Sequence, residues 1–211
     1  MNTATENKES DKKIIKGDFG YLKAQKKKEI IKTVLFFLAS FVIFGIGYLI
    51  SGSEKNILTV AAVLGLLPAS KSVVILIMFI KATPHACPQE TYERTDEFIA
   101  KTGLPFTVYD LYMTSEKNDF PIYCMSCRGK YLIGFSSDPK LQQKEATEHI
   151  RGMLDQNGFH KMSIHIFTKY DAYLERMKAL ANFETDAEGK CDGVSEEHDL
   201  EVLKLMLNIS L

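Results

Sequence analysis

The sequence predicts an α+β (or α/β) domain behind an N-terminal two-helix transmembrane hairpin, the domain running α-β-β-β-α-β-α-α. Three observations lead there. Two apolar runs, 33–50 and 57–80, flank a short polar connector, Ser51-Gly-Ser-Glu-Lys-Asn56. Net charge divides sharply along the chain: nine Lys face five acids before Thr33, whereas 14 Lys and Arg face 21 acids from Ala82 onward. From Gln89 the apolar pattern switches to short alternating runs separated by amphipathic ones, the signature of a mixed layered domain.

At about 1.5 Å per residue the two runs reach about 27 and 36 Å, and a bilayer's hydrocarbon layer is about 30 Å thick. Each is long enough to span. The connector is too short to do more than reverse the chain, so the runs pair as a hairpin. Lys23, Lys26, Lys27, Lys28 and Lys32 stand just ahead of the first run, while the connector holds only Lys55 balanced by Glu54. The positive-inside rule then places both termini in the cytoplasm of a multi-pass cell-membrane protein. Thirty-two polar residues make too long an n-region for a signal peptide, so the first span is expected to remain in the mature chain.

Residues 1–32 read as a disordered tail, up to about Asp18, leading into a basic juxtamembrane segment. That segment suits the surface of anionic headgroups as well as setting topology. In the second run Ala61, Gly65 and Ala69 recur every four residues and form a small-residue face. The face serves packing within the hairpin or, alternatively, a homo-oligomer. Pro68 removes a backbone donor and crowds the Leu64 carbonyl, which predicts a kink relieved by Ser70 and Ser72. Lys71 stands nine residues, about 14 Å of helix, before Ile80. An ionisable side chain at such depth is a functional candidate, with snorkelling as the alternative.

Residues 81–88 form a linker, and 89–211 the cytoplasmic α/β domain. Gln89 to Thr102 reads as a helix with Tyr92, Thr95, Phe98 and Ile99 inward, ended by Gly103 and Pro105. Phe106 to Met113 alternates Phe106, Val108 and Tyr112 against Tyr109, Leu111 and Met113. Strands 120–127 and 130–135 follow, joined at Arg128-Gly129. A helix over 139–157 takes Asp138 as N-cap and buries Ala146, Ile150, Met153 and Leu154. Strand 162–168 sets Met162, Ile164 and Ile166 on one side. A helix over 170–183, an acidic loop over 184–197 and a Leu-rich helix over 199–209 complete the order.

The acidity of this domain excludes nucleic acid as a partner, since phosphate binding needs a surplus of cations on one face. Four cysteines, Cys87, Cys124, Cys127 and Cys191, in a cytoplasmic domain imply free thiols. Cys124-Met-Ser-Cys127 offers two of the four ligands a structural zinc uses; His85 with Cys87, or Cys191 with His198, would supply the rest without zinc-ribbon spacing. Residues three apart on a regular strand face opposite ways, which favours buried thiols over a metal or redox pair. The expectation is no cofactor, with zinc at Cys124 and Cys127 as the alternative. His149 and His165 read as packed histidines, and no nucleophile elbow, phosphate loop or paired-acid motif occurs.

The helix, three-stranded meander, helix and strand resemble the restriction-endonuclease-like core. That family carries an acid on one meander strand and an acid-x-Lys triplet on the next. Here only Asp110 and Asp119 lie in the region, and the second strand reads Ile122-Tyr-Cys-Met-Ser-Cys-Arg128, so the resemblance implies the fold without its metal ligands. The hairpin, from Gly20-Tyr-Leu-Lys through Asn56-Ile-Leu-Thr-Val-Ala-Ala-Val-Leu-Gly-Leu-Leu-Pro-Ala-Ser-Lys-Ser72, is similar to small bacterial two-span membrane proteins. Some of these are automatically labelled O-linked N-acetylglucosamine transferase-like. About 125 residues cannot hold the two doubly wound domains of such a transferase. The resulting expectation is a non-enzymatic scaffold or regulator that offers a protein partner a cytoplasmic interaction domain. The alternatives are a degenerate nuclease-like or other hydrolase domain, and a thiol or zinc sensor.

Overall fold

A computed structural model describes residues 14–53, 57–102, 106–115, 117–181 and 196–211. These form two compact units: a helical hairpin, Leu22–His85, and a sheet domain, Ala86–Leu211, which includes the N-terminal segment up to Tyr21.

The hairpin consists of α1 (Tyr21–Ser51) and α2 (Ile57–Ala82), followed by a 3₁₀ turn at Thr83–His85. Lys, Gln, Ala and Glu are all good helix formers, so the basic lead-in and the first apolar run become one 31-residue helix. Its buried stripe is Leu22, Glu29, Thr33, Ser40 and Gly47, and that of α2 includes Ala62, Ala69, Ser72 and Phe79. Steps of three, four and seven residues are those of a left-handed helix pair.

Polar contacts fix the register. Thr33 and Ser72 hydroxyls lie 2.8 Å apart, and the Ser72 hydroxyl donates to Glu29 Oε2 at 3.4 Å. The same carboxylate receives Lys32 Nζ at 3.4 Å. One turn pair deeper, a Cβ on Gly65 would sit 2.9 Å from Ser40 Oγ, so the bare backbone is what allows this approach. Within the hairpin it is Ala62, rather than Ala61, that joins Gly65 and Ala69 on the seam: Ala62 is buried and Ala61 exposed. A strict four-residue repeat drifts around a helix, whereas the 62, 65, 69, 72 steps stay on the seam.

Pro68 lies within α2 on its exposed side, and Ser70 Oγ donates to the Leu66 carbonyl at 2.9 Å. Lys71, one residue before Ser72, comes level with Val34 at the start of the first apolar run. Beyond this level α2 continues beside the lysines of α1. Both helices are long and apolar enough to cross a membrane, and only 17% of the most apolar window of each is buried. A core helix of a water-soluble protein would hide most of that surface.

The sheet domain contains α3 (Gln89–Thr102), β1 (Thr107–Thr114), β2 (Asp119–Arg128), β3 (Tyr131–Phe135), α4 (Gln143–Gln156), β4 (Ser163–Phe167), α5 (Tyr170–Ala181) and α6 (Glu196–Ile209). The strands lie in the order β1-β2-β3-β4; the first three form an antiparallel meander and β4 runs parallel to β3 after the α4 crossover. Gly129, at φ +60°, opens the two-residue turn between β2 and β3, a conformation that favours glycine.

On one sheet face Ala146, Ile150 and Leu154 of α4 and Val202, Leu203 and Met206 of α6 meet Leu111, Ile122, Leu132 and Ile164. On the other, Tyr173, Met177 and Leu180 of α5, with Tyr92, Phe98 and Ile99 of α3, meet Tyr109, Cys124, Ile133 and Phe135. The result is three layers, helix on sheet on helix.

Three sequence expectations change. The helix read as 139–157 begins at Gln143, because Asp138 caps a turn instead: its Oδ1 accepts Lys140 N–H at 2.9 Å and its carbonyl accepts Leu141 N–H at 3.1 Å. The alternation of β1 breaks at Asp110, whose φ of +56° puts Tyr109 on the opposite face from Leu111 and Met113. Residues 14–18, read as part of a disordered tail, are held on the domain: Gly17 carbonyl accepts Tyr109 N–H at 2.8 Å and Lys16 Nζ donates to the Ser210 carbonyl at 2.8 Å. Gly103, Pro105 and most of the 184–197 stretch lie outside the described residues.

Candidate functional site

Cys124 and Cys127 sit on one strand and face different cores. Cys124 belongs to the face covered by α3 and α5, Cys127 to the face covered by α4 and α6, and both are buried. Three-residue spacing on an extended strand has this outcome, so β2 does not bring the two sulfurs together. Burial pushes the Cys124 thiol up to about 12. Burial, then the Asp199 carboxylate 3.8 Å away, raises Cys127 well above the usual thiol value. A thiolate is what binds metal or attacks a disulfide, and neither residue forms one readily near neutral pH. Among the described residues no three His, Cys, Asp or Glu side chains converge as a metal site; Cys191 lies outside them.

The Cys124 side instead holds a hydrogen-bonded polar cluster inside an aromatic core. Ser126 Oγ lies 2.7 Å from Thr107 Oγ1 and 3.1 Å from the Tyr173 hydroxyl, and Thr95 Oγ1 lies 3.0 Å from the Tyr170 hydroxyl. Burial raises the Tyr173 pKa well above the ordinary phenol value, so these hydroxyls stay neutral. Satisfied neutral donors of this kind specify packing.

Asp110 also has a structural task. Its Oδ1 accepts the Cys87 N–H at 2.8 Å from within β1, which ties the start of the chain after the hairpin to the sheet. Asp and Asn tolerate positive φ better than most residues. Asp119, paired with Thr114, stands at the other end of β1 and β2, so the two acids of the meander do not share a site.

The remaining feature is the β4 edge. Ser163 N–H donates to the Lys130 carbonyl at 2.7 Å, and the Phe167 carbonyl accepts Ser136 N–H at 3.0 Å. Residues 163, 165 and 167 thus turn their backbone toward β3, and Ile164 and Ile166 turn theirs outward. Among the described residues no strand pairs on that outer side. The Gln143 side-chain amide donates to the Ile166 carbonyl and covers one of the outward groups.

Beside this edge, α4 and β4 enclose a groove with adjoining hollows of about 380 and 400 Å³. Lys144, Thr147 and Arg151 rim it on the helix, His165 on the strand, with Ile164 and Ile166 at its floor. Those volumes sit near the small end of ligand pockets, roughly 300–1,000 Å³, and each hollow has one carboxylate in its lining, Glu148 in one and Asp155 in the other. A short exposed backbone edge beside a groove of apolar and mixed-charge side chains suits an extended peptide.

His165, read as packed, is exposed, with its Nε2 3.2 Å from Ser163 Oγ. His149 is half-buried against Phe120 at 5.4 Å between ring centres. Sequence reasoning missed the edge because Met162, Ile164 and Ile166 alternate just as they would in an interior strand; the brevity of the run was the available signal. Comparison with protein-family models, with curated proteins and with solved structures returns no match for this chain.

Proposed function

We propose that this protein is a membrane-anchored, non-enzymatic scaffold or regulator, with α1 and α2 spanning a bacterial cell membrane and both termini on the cytoplasmic side. Its sheet domain offers the β4 edge to a protein partner that adds an extended strand. The observation that carries this reading is the unpaired edge beside the α4 groove, where outward backbone groups of Ile164 and Ile166 supply affinity and the groove side chains supply selectivity. The exposed apolar surface of the hairpin supports the anchor. The lysines of α1 support the orientation.

The test is photo-crosslinking from a probe placed at His165 in intact membranes, with Arg151→Glu as the comparison. A discrete adduct that weakens in the variant supports the docking edge; identical labelling in both rejects it. Extraction of the protein by carbonate would reject the anchor.

A second reading, a degenerate nuclease-like domain, is supported by the element order: α3, the β1-β2-β3 meander, α4 and β4 follow the layout of that core. Its carboxylates argue for an inactive version, since Asp110 holds the Cys87 N–H and Asp119 lies at the far end of the strand pair. Divalent-cation titration by calorimetry distinguishes the two, because metal binding at these acids would restore the hydrolase reading.

A further inference from the structure

We propose that the lysine end of the hairpin is a binding surface for anionic phospholipid headgroups, with Lys28, Lys32 and Lys71 as phosphate partners. The proposal rests on the reading that the hairpin spans a membrane.

The two helices end out of step. Thr33 lies against Ser72 and Ser40 against Gly65, seven residues apart in each helix and running in opposite directions. Continued toward the start of α1, the same register brings Ile80 of α2 level with Gln25. The last eight apolar residues of α2, Val73 to Ile80, about 12 Å of helix, therefore run beside Gln25 to Lys32. Val74, Ile77 and Ile80 are 60%, 58% and 51% exposed there, while Lys23, Lys27, Lys28 and Lys32 are exposed on the neighbouring helix.

Water alone would leave the α2 side chains unburied, and hydrocarbon alone would strand the lysines. Only the headgroup layer accommodates both: apolar side chains enter the upper acyl region and lysine stems carry their ammonium groups out to the phosphates. Lys71, level with Val34, joins this belt from α2. Within the described part of the hairpin seven lysines stand against a single acid, Glu29, whose carboxylate is engaged by Lys32 and Ser72. That excess selects anionic over zwitterionic headgroups.

The test reconstitutes the full chain into nanodiscs of equal parts phosphatidylcholine and phosphatidylglycerol and measures co-retained lipid by native mass spectrometry. Incorporation itself tests the spanning reading, so its failure is distinguishable from failure of lipid selection. Wild type is expected to retain phosphatidylglycerol selectively. Lys71→Gln should lower the preference about fivefold and Lys28→Gln/Lys32→Gln/Lys71→Gln at least tenfold, while Lys71→Arg retains it. An unchanged preference in the triple variant overturns the proposal. Loss of the preference on adding inorganic phosphate at millimolar concentration also overturns it, by showing a site for free anion rather than for lipid.

Discussion

Along β1, outward groups are met from within the chain at two places, one at Tyr109 and one around Tyr112 and Met113. Tyr109 N–H goes to Gly17, the Tyr112 carbonyl accepts Leu211 N–H at 2.8 Å, and Met113 bridges Ser210. Along β4, among the described residues, only the Gln143 amide reaches the outer side, at Ile166. Both are edge strands of one sheet, and unpaired edges invite pairing with other chains. Among the described residues, one edge is therefore closed by residues 17 and 210–211, and the other carries a single side-chain contact and no strand.

The largest effect should come from breaking β1 from inside. Asp110→Val removes the acceptor of the Cys87 N–H and places a β-branched residue at φ +56°. A loss on the order of 3 kcal/mol is expected, read as a lower urea midpoint at unchanged slope, with Asp110→Asn keeping most of the stability. Gly17→Val attacks the seal itself. Gly17 has φ +97°, and a Cβ there would lie 3.0 Å from Leu207 and 3.4 Å from Val108. A cost of about 1–3 kcal/mol should appear, with faster amide exchange at Tyr109.

Asp199 sharpens the sealed side through pH. Its carboxylate anchors α6 to the Gly129 N–H at 2.8 Å, yet burial raises its pKa from the usual 3.8. A raised folded pKa means the group favours folding when protonated. That contribution is complete below the usual value and is lost as pH rises through the raised one. Asp199→Asn should flatten this part of the stability–pH curve while keeping an acceptor for Gly129.

On the open side the effects shift from stability to association. Gln143→Ala should cost about 1 kcal/mol or less and expose the Ile166 carbonyl, so crosslinking at His165 should increase. Arg151→Glu should leave stability within about 0.5 kcal/mol and reduce partner capture. If Arg151→Glu instead unfolds the domain, the two edges do not differ in kind.

Much of the layout was legible in local pattern. The α3 reading, Gln89 to Thr102, coincides with the observed helix, and the faces of α5 and β4 follow their periodicity, because spacing of 3.6 or 2 is imposed by the element itself. Asp138 misled because an aspartate before proline signals a turn as well as a helix start, and the turn won. The split of Cys124 from Cys127 was legible from strand geometry. The polar cluster around Tyr173 was not, since it joins residues from α3, β1, β2 and α5.

By itself the sequence determined which segments are long and apolar enough to cross a membrane, how the charges divide, and which residues alternate, since composition and period act over a few neighbours. Tertiary structure decided the rest. It chose Ala62 over Ala61 for the helix seam, set Lys71 level with Val34, sent the two thiols into separate cores, and closed β1 while, among the described residues, leaving β4 without a strand partner on its outer side. Each of those outcomes depends on register between segments distant in the chain, and register is fixed by close packing and by a few long-range hydrogen bonds that no local pattern contains.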